Sequence, residues 1–279
     1  MSNLKSGLSG CKIELLNGNT LRKHSSSKDY NDRLKIQVKK QSLFSHFVLN
    51  NIDTPNILKV NENSIFSFDM EYVCGYSFDE YFTHISIKEV DNIVDSLFGY
   101  FDFLIDNSKI YNQQLSKSIL LKKINSIDNY RKDFLNYLTN KISDIEFKIP
   151  YSFCHGDLTF SNIIFHPRRL YFIDFLDSFI DSYLIDFSKL KQDLYYGWNL
   201  KIQDINNLRI KQVYNYIWYK IENRYKSHIN RIEFKIVDVI NFLRIEPYLT
   251  CSRDRVILDK ILETTDIYEE FNRSHGWKV

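Results

Sequence analysis

The chain has 279 residues, of which 44% are hydrophobic and 26% charged, and its formal net charge is +2. This composition predicts a globular protein with a substantial core, and the near-neutral charge gives no reason to expect nucleic acid or an acidic membrane surface as a partner. The four cysteines lie far apart, which predicts free thiols, and neither a signal segment nor an apolar run of about 18 residues occurs. We therefore expect a cytoplasmic protein without membrane association.

Residues 1–74 are predicted to be rich in β-strands. The segment Asn-Gly-Asn at 17–19 is typical of a hairpin turn, which would join two short strands within residues 4–24. Further strands are predicted over 56–60 and 65–73.

A helix is predicted between these strands, over residues 29–48. Its apolar residues form an imperfect stripe of Leu34, Val38 and Leu43. Three basic residues of the same segment are interpreted as a solvated helix face, namely Lys35, Lys39 and Lys40.

After Gly75 the pattern becomes mostly helical. Helices are predicted over 77–83, 87–106 and most of 112–142, and the chain is again helical from Ile185 onward.

An apolar block over residues 151–175 interrupts the helices and is predicted to form a loop and a hairpin of short strands. The predicted fold class is therefore α+β and bilobal, with a small β-rich lobe over 1–74 and a larger, mostly helical lobe over 75–279.

The residues that predict a chemistry lie in this apolar block. The segment CHGDLTFSN places Asp157 five positions before Asn162, and Asp174 follows twelve residues later in IDF. Phosphoryl transfer needs a carboxylate that orients and deprotonates the attacking hydroxyl, and hard oxygen ligands for Mg²⁺. An Asp and an Asn on one short loop, with a second Asp on the adjoining hairpin, supply both.

The same segments resemble the aminoglycoside phosphotransferase and choline kinase family. HGDLTFSN, LYFIDF and the later LIDF are similar to its motifs, and Gly156, where protein kinases usually have Arg, favours this family over the protein kinases. The resemblance implies a protein-kinase-like fold with a nucleotide-binding lobe (1–74) and a catalytic, acceptor-binding lobe (75–279). It also implies an ATP- and Mg²⁺-dependent transfer of the γ-phosphate to a hydroxyl group of a small molecule.

The resemblance implies a role for each polar residue of the catalytic block. Asp157 would be the catalytic base, and Asn162 and Asp174 would be the Mg²⁺ ligands. His155 would brace the loop, and Asp186 would anchor the segment beyond the metal site.

In the amino-terminal lobe the resemblance implies a nucleotide site. Gly7 and Gly10 would belong to a glycine-rich phosphate loop, and Lys23 would contact the nucleotide phosphates. The segment MEYVCG resembles the hinge of the family, where the backbone of Glu71 and Val73 would meet the adenine edge.

The chain departs from the family at one position. A helix glutamate usually pairs with the strand lysine, but the window after Lys23 in which it should lie contains no Glu or Asp. Either Gln37 or Gln41 replaces it, or an acid such as Asp32 reaches Lys23 from elsewhere. The departure leaves a second function open, that of a catalytically inactive, nucleotide-binding pseudokinase or regulatory module.

The acceptor is left open by the sequence. Asp177, Asp181 and the aromatic residues that follow would suit a sugar or an amino alcohol, the latter through cation–π attraction. No dense acidic cluster favours an aminoglycoside. A protein hydroxyl is disfavoured because the segment between Asp174 and Asp186 is too short to dock a peptide.

Overall fold

The computed structural model describes residues 11–127, 131–246, 249 and 251–274. The chain forms two compact units. The first combines Met1–Tyr100 with His155–Asp177, and the second combines Phe101–Cys154 with Ser178–Val279.

The predicted lobes, 1–74 and 75–279, divide the chain at a different place from these units. The difference arises because residues 75–100 and 155–177 belong to the same compact unit as the amino-terminal strands. As a division of function, the two lobes remain a prediction.

The strands are short and lie mostly in the first unit. In chain order they are β1 (Lys12–Asn17), β2 (Thr20–His24), β3 (Ile52–Asp53), β4 (Ile57–Asn61), β5 (Ser67–Glu71), β6 (Lys109–Ile110), β7 (Pro150–Tyr151), β8 (Ile163–His166) and β9 (Arg169–Phe172).

The helices continue to the end of the described chain. They are α1 (Asn31–Phe44), α2 (Phe78–Tyr81), α3 (Ile87–Asp106), α4 (Gln113–Asn125), α5 (Lys132–Asp144), α6 (Tyr183–Leu194), α7 (Trp198–Ile202), α8 (Leu208–Arg224), α9 (Lys226–Ile229), α10 (Ile232–Leu243), α11 (Ser252–Glu263) and α12 (Asp266–Ser274). A short 3₁₀ helix spans Phe160–Asn162.

The first unit contains a four-stranded antiparallel sheet in the order β1-β2-β5-β4. Its first two strands form the predicted hairpin, with Asn17 paired to Thr20 across the Gly-Asn turn. The position of this hairpin in the sequence is therefore confirmed.

The two faces of this sheet differ in chemistry. Directly opposed residues lie on one face, so Lys23, which faces Phe68, points to the side where Phe68 joins a buried cluster. On the other face, Arg22 lies opposite Asp69, and their side chains form an ion pair with Nε and Oδ1 2.6 Å apart. The alternation of the strand thus turns Lys23 inward while its neighbour stays on the charged outer face.

Helix α1 buries Leu34, Gln37, Gln41 and Phe44, which are spaced along one helical face. The predicted apolar stripe is wrong at Leu43, since 50% of this residue is exposed. The buried face instead includes two glutamines, whose amides are hydrogen-bonded inside the unit. A pattern of apolar residues cannot identify a face that is half polar.

A second sheet in the first unit has the order β3-β9-β8, with β3 parallel to β9. The β8–β9 hairpin is the one predicted from the apolar block. Strand β3 was not predicted, because two residues are too few to show the alternation that identifies a strand.

The segment after β5 is tied to this hairpin by a close backbone approach. A Cβ atom at Gly75 would lie 2.5 Å from Cγ2 of Ile164, so only glycine fits there. The next residue, Tyr76, exchanges two backbone hydrogen bonds with Phe165, at 2.8 and 2.9 Å.

The second unit is mostly helical, as predicted for the carboxyl-terminal part. A buried polar cluster joins α6 to α10, where Asp238 accepts hydrogen bonds from Lys191 (3.0 Å) and Ser188 (2.7 Å). The predicted helix over 87–106 coincides with α3, whereas the one over 112–142 is divided into α4 and α5.

All four cysteines are free thiols, as predicted; Cys11 and Cys154 are buried, and Cys74 and Cys251 are exposed. Among the helices of the described residues, none combines the length and the apolar character needed to span a bilayer.

Candidate active site

The predicted catalytic loop begins with a glycine that the packing requires. Gly156 has a φ of +87°, and a Cβ atom there would lie 2.2 Å from the carbonyl oxygen of Leu176. The two segments also share a hydrogen bond, in which the Leu176 N–H donates to the His155 carbonyl at 2.9 Å. Only glycine combines this backbone conformation with so close a contact, so a larger residue such as Arg could not occupy this position.

His155 braces the loop through both ring nitrogens. Nε2 donates to the carbonyl of Ile173 at 2.8 Å, and Nδ1 accepts the backbone N–H of Asp157 at 3.2 Å. This pair of bonds requires the neutral ring with its proton on Nε2. Burial of the whole side chain lowers the pKa of His155 to about 4, so the ring stays neutral at physiological pH.

Asn162 orients Asp157. Its side-chain nitrogen donates to the Asp157 carbonyl at 2.8 Å and to the Asp157 carboxylate at 3.0 Å. The loop between them is tightened by the N–H of Thr159, which also donates to the Asp157 carbonyl at 2.8 Å. Because Asn162 donates through its nitrogen, its side-chain oxygen is the atom with which it would ligate a cation.

Asp174 lies at the end of the hairpin and contacts the amino-terminal sheet. Its Oδ1 accepts from Lys23 Nζ at 2.7 Å, and its backbone has a φ of +60°, which residues other than glycine rarely adopt. Lys23 is 4% exposed, whereas the Asp174 side chain is 35% exposed, so only the lysine end of this ion pair is shielded from water. The structure thus brings the predicted strand lysine to the predicted metal ligand.

Gln37, and not Gln41, occupies the place of the expected glutamate. Gln37 Oε1 accepts from Lys23 Nζ at 3.1 Å, whereas the Gln41 amide donates to the carbonyl of Pro55 at 2.7 Å. Asp32 is 3.8 Å from Lys35 instead and is 92% exposed. Gln37 thus stands beside Lys23 in place of the glutamate, and the acid that reaches Lys23 from elsewhere in the chain is Asp174 and not Asp32.

Two further residues of α1 contact the segment after Asp174, and the sequence did not identify either. Lys40 Nζ donates to the Leu176 carbonyl at 2.9 Å, and the ring of Phe44 lies 5.1 Å from that of Phe175. The interpretation of Lys40 as part of a solvated face is therefore wrong, although Lys35 and Lys39 are exposed. Its spacing of three residues from Gln37 is the signal that could have placed both on one face.

Phe175 also links α1 to the predicted catalytic loop. Its ring lies 4.4 Å from the imidazole of His155, while Phe44 stacks on Phe172 at 5.7 Å. Aromatic packing thus supports the segment around Asp174 in addition to its polar contacts.

The predicted hinge residues lie at the end of β5 and just after it. Glu71 ends β5, and its carboxylate accepts from the backbone N–H and side chain of Asn56, at 3.1 and 2.9 Å. Val73 lies in the segment between β5 and Gly75 and is half-buried. Their role at the adenine edge remains a prediction.

Three other predicted site residues are Gly7, Gly10 and Asp186. Gly7 and Gly10 lie outside the described residues. Asp186 is fully buried in α6 of the second unit, and its anchoring role remains a prediction.

The donors present fit a magnesium ion better than a transition metal. The described part of the chain holds no group of three or more His, Cys, Asp or Glu side chains arranged for a metal. A carboxylate (Asp174) and an amide oxygen (Asn162) are hard ligands, and Mg²⁺ is commonly held by one or two carboxylates together with substrate phosphates. The two predicted ligands therefore suit a metal that arrives with a nucleotide.

Comparison with known proteins identifies a family over the middle of the chain. Residues 102–209 match the model of the phosphotransferase enzyme family, APH. No match was found among curated proteins.

Solved structures of aminoglycoside phosphotransferases share the fold. The GDP and kanamycin complex of APH(2″)-IIIa has a TM-score of 0.58 at 16% identity, covering 96% of this chain and 92% of that one. The streptomycin–ATP ternary complex of APH(2″)-IIa has a TM-score of 0.57 at 15% identity, with 95% and 92% covered. APH(3″)-Id from Streptomyces rimosus, bound to ADP and streptomycin, has a TM-score of 0.51 at 13% identity, with 87% and 93% covered.

These findings confirm the resemblance inferred from the sequence and the predicted fold class. The chain has the protein-kinase-like α+β fold of the aminoglycoside phosphotransferases, and its residues 102–209 match the phosphotransferase enzyme family.

Proposed function

We propose that the chain is an ATP- and Mg²⁺-dependent phosphotransferase that moves the γ-phosphate to a hydroxyl group of a small molecule. The observation that carries the proposal is the contact between Lys23 and Asp174, 2.7 Å apart. It joins the strand lysine to the segment that adjoins the loop of Asp157 and Asn162. Residues from distant parts of the sequence thus meet in the combination that phosphoryl transfer needs.

Asp157 is the base of the proposed reaction. The acceptor oxygen attacks the γ-phosphorus while the bond from that phosphorus to the β,γ-bridging oxygen breaks, and ADP leaves. The proton of the hydroxyl passes to the Asp157 carboxylate, which Asn162 and the His155-braced backbone hold in a fixed orientation.

The nucleotide is held by residues of the first unit. Lys23 contacts the phosphates, and the backbone at Glu71 and Val73 meets the adenine edge, with Gly7 and Gly10 in the phosphate loop. Asn162 and Asp174 hold Mg²⁺, which neutralises phosphate charge when bound. Support comes from related folds that bind ATP, ADP or GDP.

The acceptor of the proposed reaction is a sugar or an amino alcohol. Kanamycin and streptomycin are bound by the structural neighbours, but at identities of 15–16% these establish only the fold. Asp177 and Asp181 are the acidic residues that follow the proposed metal ligand Asp174 most closely in the sequence. Two carboxylates suit a neutral or singly charged acceptor better than a polycation.

A second candidate function is a nucleotide-binding regulatory module without catalysis. It is favoured by Gln37, which can hydrogen-bond Lys23 but cannot neutralise it. The presence of Asp157, Asn162 and Asp174 weighs against it, because a chain without catalysis would not need to keep the base and the metal ligands.

The test is phosphate transfer by the purified chain with Mg²⁺-ATP and a panel of sugars, amino alcohols, amino acids and aminoglycosides. ADP release would identify active acceptors, and ³¹P NMR would identify a phosphate ester as the product. Transfer to a sugar or amino alcohol supports the proposal. Mg²⁺-dependent nucleotide binding without transfer to any acceptor would support the regulatory module instead.

A further inference from the structure

Lys23, Gln37 and Asp174 form a closed ring of hydrogen bonds. Lys23 Nζ donates to Gln37 Oε1 at 3.1 Å and to Asp174 Oδ1 at 2.7 Å. The ring closes because Gln37 Nε2 donates to the same Asp174 oxygen at 3.2 Å. The amide of Gln37 therefore accepts from the cation and donates to the carboxylate at once.

A glutamate could not make this arrangement. Its carboxylate has no donor at neutral pH, so it could accept from Lys23 but could only repel Asp174. The two carboxylates would repel each other, and the charge at position 37 would be shielded from water because Gln37 is 2% exposed, although the Asp174 side chain is 35% exposed.

The rest of α1 shows that the helix holds the whole segment around Asp174. Lys40 donates to the Leu176 carbonyl at 2.9 Å, and Phe44 packs on Phe175. With Gln37 on Asp174, one helix face contacts three consecutive residues. Asp174 itself has a φ of +60°, a backbone conformation that persists in a residue other than glycine when its surroundings hold it.

We infer that Gln37 is a positioning residue for Asp174, which it holds beside Lys23 through a donated hydrogen bond that a glutamate could not provide. The inference rests on the proposed function, in which Asp174 is a Mg²⁺ ligand. This site then requires glutamine at position 37, because a glutamate would lack the N–H donor to Asp174. The site also carries one negative charge fewer than with a glutamate, which favours approach of nucleotide phosphates to Lys23.

The test compares Gln37→Glu and Gln37→Met with Gln41→Met. Gln41 is the matched control, since it is an equally buried amide on the same helix that donates to Pro55 instead. ATP affinity would be measured by calorimetry with Mg²⁺ and with EDTA, and thermal unfolding would check that each variant is folded.

The expected result is a loss of about tenfold in Mg²⁺-ATP affinity for both Gln37 variants, because a hydrogen bond to a charged group is lost. In both Gln37 variants, the ratio of ATP affinity with Mg²⁺ to that with EDTA should fall. Gln41→Met should change the stability of the chain but not this ratio. If position 37 only needs a partner for Lys23, Gln37→Glu will bind Mg²⁺-ATP as tightly as the wild type or more tightly, which overturns the inference.

Two further outcomes separate the inference from the proposed function. If Gln37→Glu does not fold, an unchanged Mg²⁺ dependence in Gln37→Met overturns the inference alone. If the wild-type chain binds no nucleotide, the proposed function falls, and the positioning role falls with it.

Discussion

The segment from His155 to Phe175 and helix α1 serve the same candidate site, but they are specified in different ways. The segment is held largely by its own bonds, such as those from Asn162 to Asp157 and from His155 to Ile173. Helix α1 acts on partners far away in the chain, as Gln37 does on Asp174, 137 positions later. The chemistry of a segment that is held by its own bonds can be predicted from the order of its residues. The contacts of a helix that binds distant partners cannot be predicted in this way.

The strongest test of the local segment is Asp157→Asn. We expect turnover to fall about 100- to 10,000-fold, the usual contribution of a general base, because an amide cannot take the hydroxyl proton. Nucleotide affinity should hardly change, since Asn162 can still donate to an amide oxygen at position 157. Steady-state rates and calorimetry would be compared with Asp53→Asn, which removes an exposed partner of Arg169. Retained turnover in Asp157→Asn would show that another group is the base.

The next largest effect is expected in the pH dependence of the unfolding free energy, to which His155 contributes. Its pKa is about 4 in the folded chain against 6.5 without burial. As the pH falls from 6.5 to 4, the unfolded chain therefore takes up the proton first, and about 3 kcal/mol of unfolding free energy is lost. This stabilisation is complete above pH 6.5.

Urea unfolding of the wild type and His155→Gln at several pH values would measure this contribution. Glutamine can still donate to the Ile173 carbonyl but does not titrate in this range. We expect a flatter profile between pH 4 and 6.5 for the variant. Equal slopes for the two proteins would show that His155 is not held neutral by the fold.

Gly156→Ala tests the tight packing of the predicted catalytic loop. We expect the unfolding free energy to fall by at least about 2 kcal/mol, because the new Cβ meets the Leu176 carbonyl in addition to the cost of a positive φ. Gly197→Ala is the matched control, with a φ of +64° and nothing within 4 Å of a Cβ. It should cost only about 1 kcal/mol. Equal losses in urea unfolding would mean that the contact with Leu176 does not matter.

The smallest effect is expected on α1, at Leu43→Ser. Half of Leu43 is exposed, so its replacement should change the unfolding free energy by about 0.5 kcal/mol or less. The adjacent Phe44→Ala removes a buried ring and should cost about 3 kcal/mol or more. If the two costs are similar, the face of α1 that packs inward is not the one bearing Gln37 and Phe44.

Elements whose contacts are local could be predicted from the sequence, and elements whose contacts are distant could not. The hairpin around residues 17–20, helix α3 and the loop before the β8–β9 hairpin depend on neighbours in sequence, and their patterns predicted these elements. Strand β3 has two residues and gains its partner only through β9, so no periodicity could reveal it. The choice of Gln37 over Gln41 depends on which amide faces Lys23, and both lie on the same buried face.

Lys40 illustrates the same limit for charged residues. A run of lysines on a helix is usually solvated, but one of these reaches the carbonyl of Leu176, 136 positions later. Only the path of the chain after Asp174 creates that acceptor. Long-range polar contacts are therefore the part of the candidate site that sequence reasoning could not supply.

The measurement that tests the account most directly is calorimetric titration of the wild-type chain and Asp174→Asn with ATP and GTP, each with Mg²⁺ and with EDTA. We predict that the wild type binds a nucleotide more tightly with Mg²⁺ and that Asp174→Asn loses most of this gain. Failure of the wild type to bind either nucleotide, or an undiminished Mg²⁺ effect in the variant, would contradict a phosphoryl-transfer site built around Asp174.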